Sequence, residues 1–570
     1  MNVLLPFHVY QGAQSSHTAE DVERKRVPVV PADLALTRPE HPAAVRHRPL
    51  RAFRDRHRVP LLATLPTLPL YAVWWFLLAT GGGDLAAQEA WAQFAARNGG
   101  SAYGLFWYGG MHTANYSLLS PYLMAALGVR TVTVVSGVTA AWLAAVLIAR
   151  AGVPHPLGPA LLASLALWCN VASGRTTFAL GVAFALAGCV LLVGRERRPL
   201  PAAAYATLAT MASPVAGLFL AVVGAGFLLV RDRRRALVLL LPTFAVVATT
   251  TVLFPFTGEQ LMPADRIWQP VVLGLAVTLL APPHWRVARW SGVVYAAGTV
   301  LAYLIPSPVG TNVERFAELF APAVLLAALL GQPRLRVLRR NLLIAALVFS
   351  VVWVGRKTVD DLRVSTAVPA WAADTGGVLR ALRGLGADRT RVEVVPARNH
   401  REATALAPHM NLARGWNRQL DMERGRLFYD GTFSAAAYRR WLDHWAVGLV
   451  VLPLGKPDGY AEQEARLVRE HRPGWLEPVW QDAHWRVYRV RDAVPLVSAP
   501  ATVVRTTSAE VDVRVPRPGS VTVRVAHSPW LHTDGGCLGP QGEFTRLTVS
   551  APGTYRISSE YGPAPAPGHC

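Results

Sequence analysis

The stretch between residues 81 and 122 gathers residue types from which a binding cleft is made. Gly81-Gly82-Gly83-Asp84 opens it, and Leu85–Ala96 has helical spacing and carries Gln88, Glu89, Trp91 and Phe94. Ser101–Tyr108, Gly109-Gly110-Met111-His112 and Tyr116–Tyr122 follow. Aromatic rings mixed with glycines and a few acids suit a lined cleft, so Trp107, Tyr108, His112 and Tyr116 are expected to face a substrate. Two plainer readings compete. Asp84 can cap the helix that begins at Leu85 by accepting free backbone N–H groups, and Tyr and Trp rings are common anchors at a membrane interface.

The elements that would hold this loop are membrane helices. About eleven apolar stretches separated by arginine clusters run between residues 60 and 356, the clearest being Pro60–Thr80, Thr131–Ala149, Thr176–Val193, Ala236–Phe254, Ser291–Leu304 and Asn341–Val354. Several approach the roughly 20 residues needed to cross a hydrocarbon core of about 30 Å. The 570 residues are 52% hydrophobic, apolar for a soluble chain yet dilute for a bare bundle. A bundle and a sizeable water-soluble portion are both expected.

The net charge of +21 is concentrated beside those stretches, at Arg46–Arg58, Arg195–Arg198, Arg231–Arg235 and Arg334–Arg340. Short basic loops next to spans mark the cytoplasmic side, so the charge reads as topology and argues against a nucleic-acid partner. Residues 1–59 read as a disordered basic cytoplasmic arm, and no signal peptide is visible. The bundle then occupies 60–356, with a large first outside loop at 81–130. Later spans alternate near 131–149, 157–172, 176–193, 200–211, 214–230, 236–254, 270–282, 289–305, 316–331 and 341–356, which puts everything after Arg356 outside. Ser117–Leu127 is too short to cross and reads as re-entrant or interfacial. Leu200–Val230 is short for two crossings and is broken at Ser213-Pro214, as a tight pair of short helices would be.

Beyond Arg356 the pattern changes. Arg391–Pro396, Val447–Pro453 and Trp485–Val490 read as strands, while Ser434–Trp445 and Ala461–His471 read as helices. This alternation predicts an α/β domain over 357–494. From 495 to 570 the chain turns β-rich, with Glu510–Val515, Ser520–Val525, Thr545–Val549 and Thr554–Ile557 set between Pro/Gly turns. The cysteines have no metal-site spacing. Cys169 and Cys189 lie in apolar spans, and Cys537 and Cys570 could pair on an oxidising side of the membrane.

An acidic residue just after the first span, an outside helix, and an aromatic stretch leading to Ser120-Pro121-Tyr122-Leu123 together resemble the C-type (GT-C) polytopic membrane glycosyltransferase superfamily. Ser173-Gly174-Arg175-Thr176, Ser213-Pro214 and Asn312-Val313-Glu314-Arg315 add to the resemblance. The run Ala413–Asp421 is similar to tail segments of actinobacterial members. The resemblance spans roughly residues 60–560. It implies an α-helical polytopic membrane bundle of about 11 spans, GT-C-like, with a C-terminal extracytoplasmic α/β plus β-sandwich-like region.

In activity, the resemblance implies inverting transfer of a sugar from a polyprenyl-phosphate donor to a cell-envelope glycan or lipid acceptor. Asp84 inherits the catalytic carboxylate, with Glu89 as a second acid. A carboxylate beside the bilayer can take the proton of an attacking hydroxyl, and the phosphate that leaves gains charge that a cation can hold. Arg175 and Arg315, placed at outside ends of spans, are the donor-phosphate-binding candidates; interfacial snorkelling is the plainer alternative for both. Many family members carry two adjacent acids where this chain has Asp84 followed by Leu85, which leaves metal dependence open. No strong divalent-ion site stands out and no cofactor is implied. Glu259 and Asp265 are possible helpers, and Trp416, Asp421, Tyr429, Asp430 and His444 could meet an acceptor. The competing functions are a multi-span transporter, against which the odd span count and lack of half-repeats weigh, and a non-catalytic cell-envelope scaffold.

Overall fold

The computed structural model describes residues 57–194, 197–332 and 336–562. The arm expected over 1–59 lies outside the described residues except for its last three, and Arg58 and Val59 already belong to the first helix. The helices of the first two thirds are α1 (Arg58–Leu78), α2 (Asp84–Arg97), α3 (Ser120–Leu127), α4 (Val129–Arg150), α5 (Leu157–Ala172), α6 (Thr176–Leu192) and α7 (Pro199–Ala212). They continue with α8 (Pro214–Leu229), α9 (Arg233–Leu253), α10 (Trp268–Leu280), α11 (Arg286–Leu304), α12 (Glu314–Leu330) and α13 (Val337–Ser365).

Each apolar stretch of the sequence is thus a helix. Length and apolarity qualify four of them to cross a bilayer, α1, α4, α9 and α13, while α5, α6 and α8 are apolar but shorter. The expected eleven crossings are therefore not reproduced by those two criteria. Local chemistry explains the irregular places. Pro66 opens a 3-10 turn inside α1 at Leu65–Thr67, where the ring removes a backbone donor. The segment expected to lie at the interface folds as α3, and Gly128, at φ 84°, turns the chain into α4. The break at Ser213-Pro214 places proline in the first turn of α8, where its missing N–H costs nothing.

The largest departure is at α13. The apolar run ends near Arg356, yet the helix continues to Ser365, because Lys357, Asp360, Asp361 and Arg363 change its solvation without interrupting its backbone hydrogen bonds. Short connections make successive helices run antiparallel. One end of the bundle therefore carries the C-terminal ends of α1, α5, α7, α9, α11 and α13 and the N-terminal ends of α6, α8, α10 and α12. Arg58, Arg150, Arg198, Arg231, Arg286 and Arg339 lie at or near the opposite end.

The C-terminal region contains a mixed sheet with strand order β3 (Arg391–Val394), β4 (Val447–Pro453), β6 (Trp485–Val490), β5 (Leu476–Gln481). β3 and β4 are parallel and the other pairs antiparallel. Two further sheets follow. One has the order β10 (Leu531–Thr533), β13 (Gly553–Ser559), β8 (Val511–Val515), β7 (Thr502–Thr506). The other is β11 (Cys537–Gln541), β12 (Phe544–Val549), β9 (Gly519–Ala526). Alternate residues Val511, Val513, Val515, Val521, Val523 and Val525 fill the core between them. Cys537 is disulfide-bonded, Cys169 and Cys189 are free, and Cys570 lies outside the described residues.

The loop between α2 and α3 is built into this region. Its short hairpin pairs β1 (Tyr103–Gly104) with β2 (Met111–His112). Tyr103 and Leu105 enter the valine core of the sandwich, and Phe106, Trp107, Tyr108 and Met111 enter a core shared with Val392, Leu449 and Val487. Bundle and C-terminal region belong to one compact unit.

Candidate functional site

The end of the bundle that meets the C-terminal region encloses a cavity of about 820 Å³. Its floor is made of Asp84 and Gln88 from α2, Arg175 and Thr177 at the start of α6, Ser213 before α8, Arg315 in the first turn of α12, and Lys357 and Asp361 from the overrun of α13. Asp84 and Gln88 are four residues apart and so share one helix face. Tyr116 forms part of the side wall, and Arg398, His400, Trp416, Arg418 and Asp458 form the roof.

The N-terminal ends of α2, α6, α8 and α12 meet here, each bringing the positive end of its helix dipole. The lining side chains add to this: Arg175, Arg266, Arg315, Lys357, Arg398 and Arg418 against Asp84, Asp361 and Asp458. Among the lining side chains six cations face three carboxylates.

Most of these charges are already matched. Arg175 donates to Glu318 at 2.9 Å and to Asp361 at 3.1 Å, and its Nε lies 3.5 Å from Asp84. Lys357 bridges Glu314 and Glu318, and Arg266 donates to Glu314 at 2.9 Å. Arg315 is held more loosely: its carboxylate contact is Asp84 at 3.7 Å, and it stands 5.4 Å from the Phe178 ring centroid. Four cations (Arg175, Arg266, Arg315, Lys357) thus meet four carboxylates (Asp84, Glu314, Glu318, Asp361) in one neutral lattice. Of the two arginines expected to bind phosphate, Arg175 has all three nitrogens facing carboxylates, whereas among the described residues Arg315 has only the longer Asp84 contact.

Asp84 is fixed by the glycines before it and by the C-terminal domain. Gly81 and Gly83 have φ of 87° and 63°, values that β-carbon-bearing residues rarely adopt. The Gly83 N–H donates to the Asn399 carbonyl at 2.8 Å, and Trp416 Nε1 donates to the Gly83 carbonyl at 3.0 Å. Arg401 reaches the ends of both α1 and α13, donating to the Thr80 carbonyl and, at 2.7 Å, to the Ser365 carbonyl. Asp84 is the first residue of α2, and the N-cap position is taken by Gly83. A β-carbon on Gly82 would stand 2.6 Å from the Ser365 carbonyl oxygen and 2.9 Å from Arg401. Gly82→Ala is therefore expected to cost about 1–3 kcal/mol, as other overpacked positions do. A lowered midpoint of thermal unfolding in detergent checks this, and an unchanged midpoint would show that the turn is not tightly held.

The roof is a layered stack. His400 lies flat on Trp416 with centroids 3.5 Å apart, and the Arg418 guanidinium lies 4.9 Å from the Trp416 ring centroid. Arg418 makes a two-pronged contact with Asp458, both bonds at 3.1 Å. Burial alone would lower the His400 pKa, but the Asp458 and Glu402 carboxylates, 3.5 and 3.6 Å from its ring nitrogens, raise it. Burial works against the Asp458 charge too, yet His400 and Arg418 hold its carboxyl well below the usual range.

Other residues singled out in the sequence lie elsewhere. Glu89 does not line the cavity; it packs against Gly81, and burial raises its pKa against the pull of Arg130 and Arg401. Trp107, Tyr108 and His112 do not line it either, because the C-terminal domain covers them. Trp107 donates to the Ala403 carbonyl, and the Tyr108 hydroxyl bonds the backbone of Asn417. His112 sits between Ala102 and Ser528, and burial pushes its pKa down to about 4. Tyr116 does face the cavity. Glu259 contacts Arg426 at 3.9 Å and Asp265 opens a 3-10 turn, while the neighbours Gln260 and Arg266 line the cavity. Asp421 and Tyr429 join a buried cluster around Arg414, Asp430 caps its own turn at Thr432, and His444 pairs with Glu543. Among the described residues, no group of three or more His, Cys, Asp or Glu could hold a metal ion.

Residues 498–536, within the sandwich, match a domain of unknown function (DUF8823). No curated protein matches the chain. Among solved structures, it is similar to two cryo-EM structures of the arabinofuranosyltransferase AftD from Mycobacteria, one of them a mutant. The mutant matches at 12% identity and a TM-score of 0.40 over 89% of this chain, and the other at 13% and 0.38 over 82%. The chain spans 60% and 41% of those two structures.

Proposed function

We propose that this protein is a membrane glycosyltransferase that moves a sugar from a polyprenyl-phosphate donor to a hydroxyl acceptor, with Asp84 as general base. The observation that carries this reading is the placement of one carboxylate, 34% exposed, beside two guanidiniums at the meeting point of four helix N-termini. A base and an anion-binding surface within one cavity are what displacement of a phosphate by a hydroxyl requires.

In this reading the acceptor oxygen attacks the anomeric carbon and its proton passes to Asp84. The bond from that carbon to the phosphate oxygen breaks, and the electron pair leaves on the phosphate. Arg315 and the helix N-termini hold the departing charge, and Arg175 positions Asp84. The lipid chain has a route, because Val246, Val247, Thr250 and Thr251 of α9 line the cavity while Leu241, Phe244 and Val252 of the same helix are exposed apolar surface. The apolar helices place the protein in a membrane, and we assign the basic helix ends to the cytoplasmic side by the charge bias of their loops. The acceptor is then a cell-envelope glycan or lipid.

The test is a transfer assay with purified full-length protein, radiolabelled polyprenyl-phosphate sugars and a cell-envelope extract. Label is expected to enter the extract. Arg315→Gln is expected to raise the donor KM about 10-fold or more, the worth of a hydrogen bond to a charged group. Absence of transfer from every donor, with solute uptake into sealed vesicles, would replace this reading by the transporter.

A further inference from the structure

Both backbone groups of Gly83, the residue before Asp84, are bound by neighbours of a single residue. The Gly83 N–H donates to the carbonyl of Asn399, which precedes His400 in the chain. The Gly83 carbonyl accepts from Trp416 Nε1, and Trp416 is the ring on which His400 lies flat. His400 is therefore the point where the two restraints join. It is 4% exposed and has φ 54°, a left-handed conformation that a residue with a β-carbon keeps only when its surroundings hold it there. Its ring nitrogens face two carboxylates, Nδ1 towards Glu402 at 3.6 Å and Nε2 towards Asp458 at 3.5 Å. Only the doubly protonated ring offers an N–H to both sides. Of the other charged groups nearby, Arg418 is bound to Asp458, Arg401 is turned to Thr80 and Ser365, and Arg398 lines the cavity.

We propose that His400, held as an imidazolium between Asp458 and Glu402, is a positioning residue that latches the glycine turn and thereby sets the direction of Asp84. The charge does this in two ways. It attracts both carboxylates, which keeps the left-handed backbone in place and the Asn399 carbonyl aimed at Gly83. It also strengthens the stack on Trp416, because a cation is drawn to the face of an indole ring. Burial disfavours the charged ring, but the Asp458 and Glu402 carboxylates outweigh it. The ring therefore keeps its proton to higher pH than an ordinary histidine and gives it up as the pH rises further. Loss of that proton leaves Trp416 and the turn less firmly held, with no direct change at Arg175 or Arg315. In the transferase reading, on which the catalytic consequence rests, turnover then falls at alkaline pH while donor affinity is kept.

Two variants separate this latch from ordinary packing. His400→Asn removes the titrating ring but suits the left-handed backbone, and Glu402→Gln leaves the ring in place and takes away one of its carboxylates. The first measurement is fluorine NMR of the full-length protein in detergent with fluorotryptophan incorporated. The Trp416 resonance is identified by its loss in Trp416→Phe. In wild type that resonance is expected to move with pH above the ordinary histidine range. The movement should be absent in His400→Asn and displaced to lower pH in Glu402→Gln. The second measurement is the pH profile of sugar transfer. His400→Asn should lower kcat by up to about 10²-fold, the cost of misplacing a reacting group by about 1 Å, with the donor KM unchanged. It should also lack the alkaline fall, which Glu402→Gln should move to lower pH. A Trp416 resonance that ignores pH would overturn the proposal. So would one that still titrates in His400→Asn, or a midpoint that Glu402→Gln leaves in place. Lack of transfer by wild type bears instead on the transferase reading, and the fluorine result decides the latch without it.

Discussion

Asp84→Asn is expected to lower sugar transfer by about 10²–10⁴-fold, the range that a positioned general base supplies. The amide keeps the shape of the carboxylate and can still accept a hydrogen bond, but it cannot take the acceptor proton. Folding should be little affected. The contacts of Asp84 to Arg175 and Arg315, at 3.5 and 3.7 Å, are long for ion pairs, and its side chain is 34% exposed. Partly solvated pairs of this kind contribute little to stability. The unfolding midpoint should therefore stay near that of the wild type while turnover collapses, and a variant that transfers at the wild-type rate would remove Asp84 from the mechanism. Asp84→Glu should recover part of the rate at most, because the glycine turn leaves no slack to reposition a longer acid.

The opposite pattern is expected for Glu318→Gln. Glu318 is 9% exposed and joins Arg175 to Lys357, so neutralising it leaves two cations facing each other across one lost carboxylate. Breaking a buried pair by removing one partner typically costs about 3–5 kcal/mol. A large drop in the unfolding midpoint is predicted, with activity falling because Arg175 no longer holds Asp84. Adding Lys357→Met should return much of the stability, since it removes the excess positive charge while Arg266 still pairs with Glu314. In a double-mutant cycle the two effects should therefore be far from additive. Additive losses would mean that the lattice is not coupled.

Hydropathy located the helices well because an apolar run long enough to cross a bilayer admits few other structures. It misjudged the end of α13 for the same reason that it worked elsewhere: it reads solvation, and Lys357 to Arg363 are polar residues on a continuing helix. That overrun contributes Lys357 and Asp361 to the cavity, so the error at one helix end concealed part of the floor. Asp84, Arg175 and Arg315 were legible as cavity-lining residues because each lies at the start of a helix, whereas Tyr116 shares its signal with rings that the cavity excludes. Trp107, Tyr108 and His112 carry the same composition signal but are buried against segments encoded 296, 309 and 416 residues later, and a linear pattern does not distinguish a ring that faces ligand from one that faces protein. The roof was the least legible part. His400 and Asp458 belong to ordinary-looking turns, and only the fold stacks them over Trp416 and Arg418.

The hydrogen bonds that hold the Gly81–Gly83 turn come from Asn399, Arg401 and Trp416, and this has a consequence for biosynthesis. A ribosome adding roughly 5–20 residues per second needs tens of seconds to travel from Asp84 to Trp416. During that interval the early helices can enter the membrane, but the carboxylate has neither its restraints nor its roof. The cavity is completed only when the late segments arrive, so a half-made chain has an incomplete cavity, and under the proposed transferase reading it would not act on lipid-linked donors before synthesis ends.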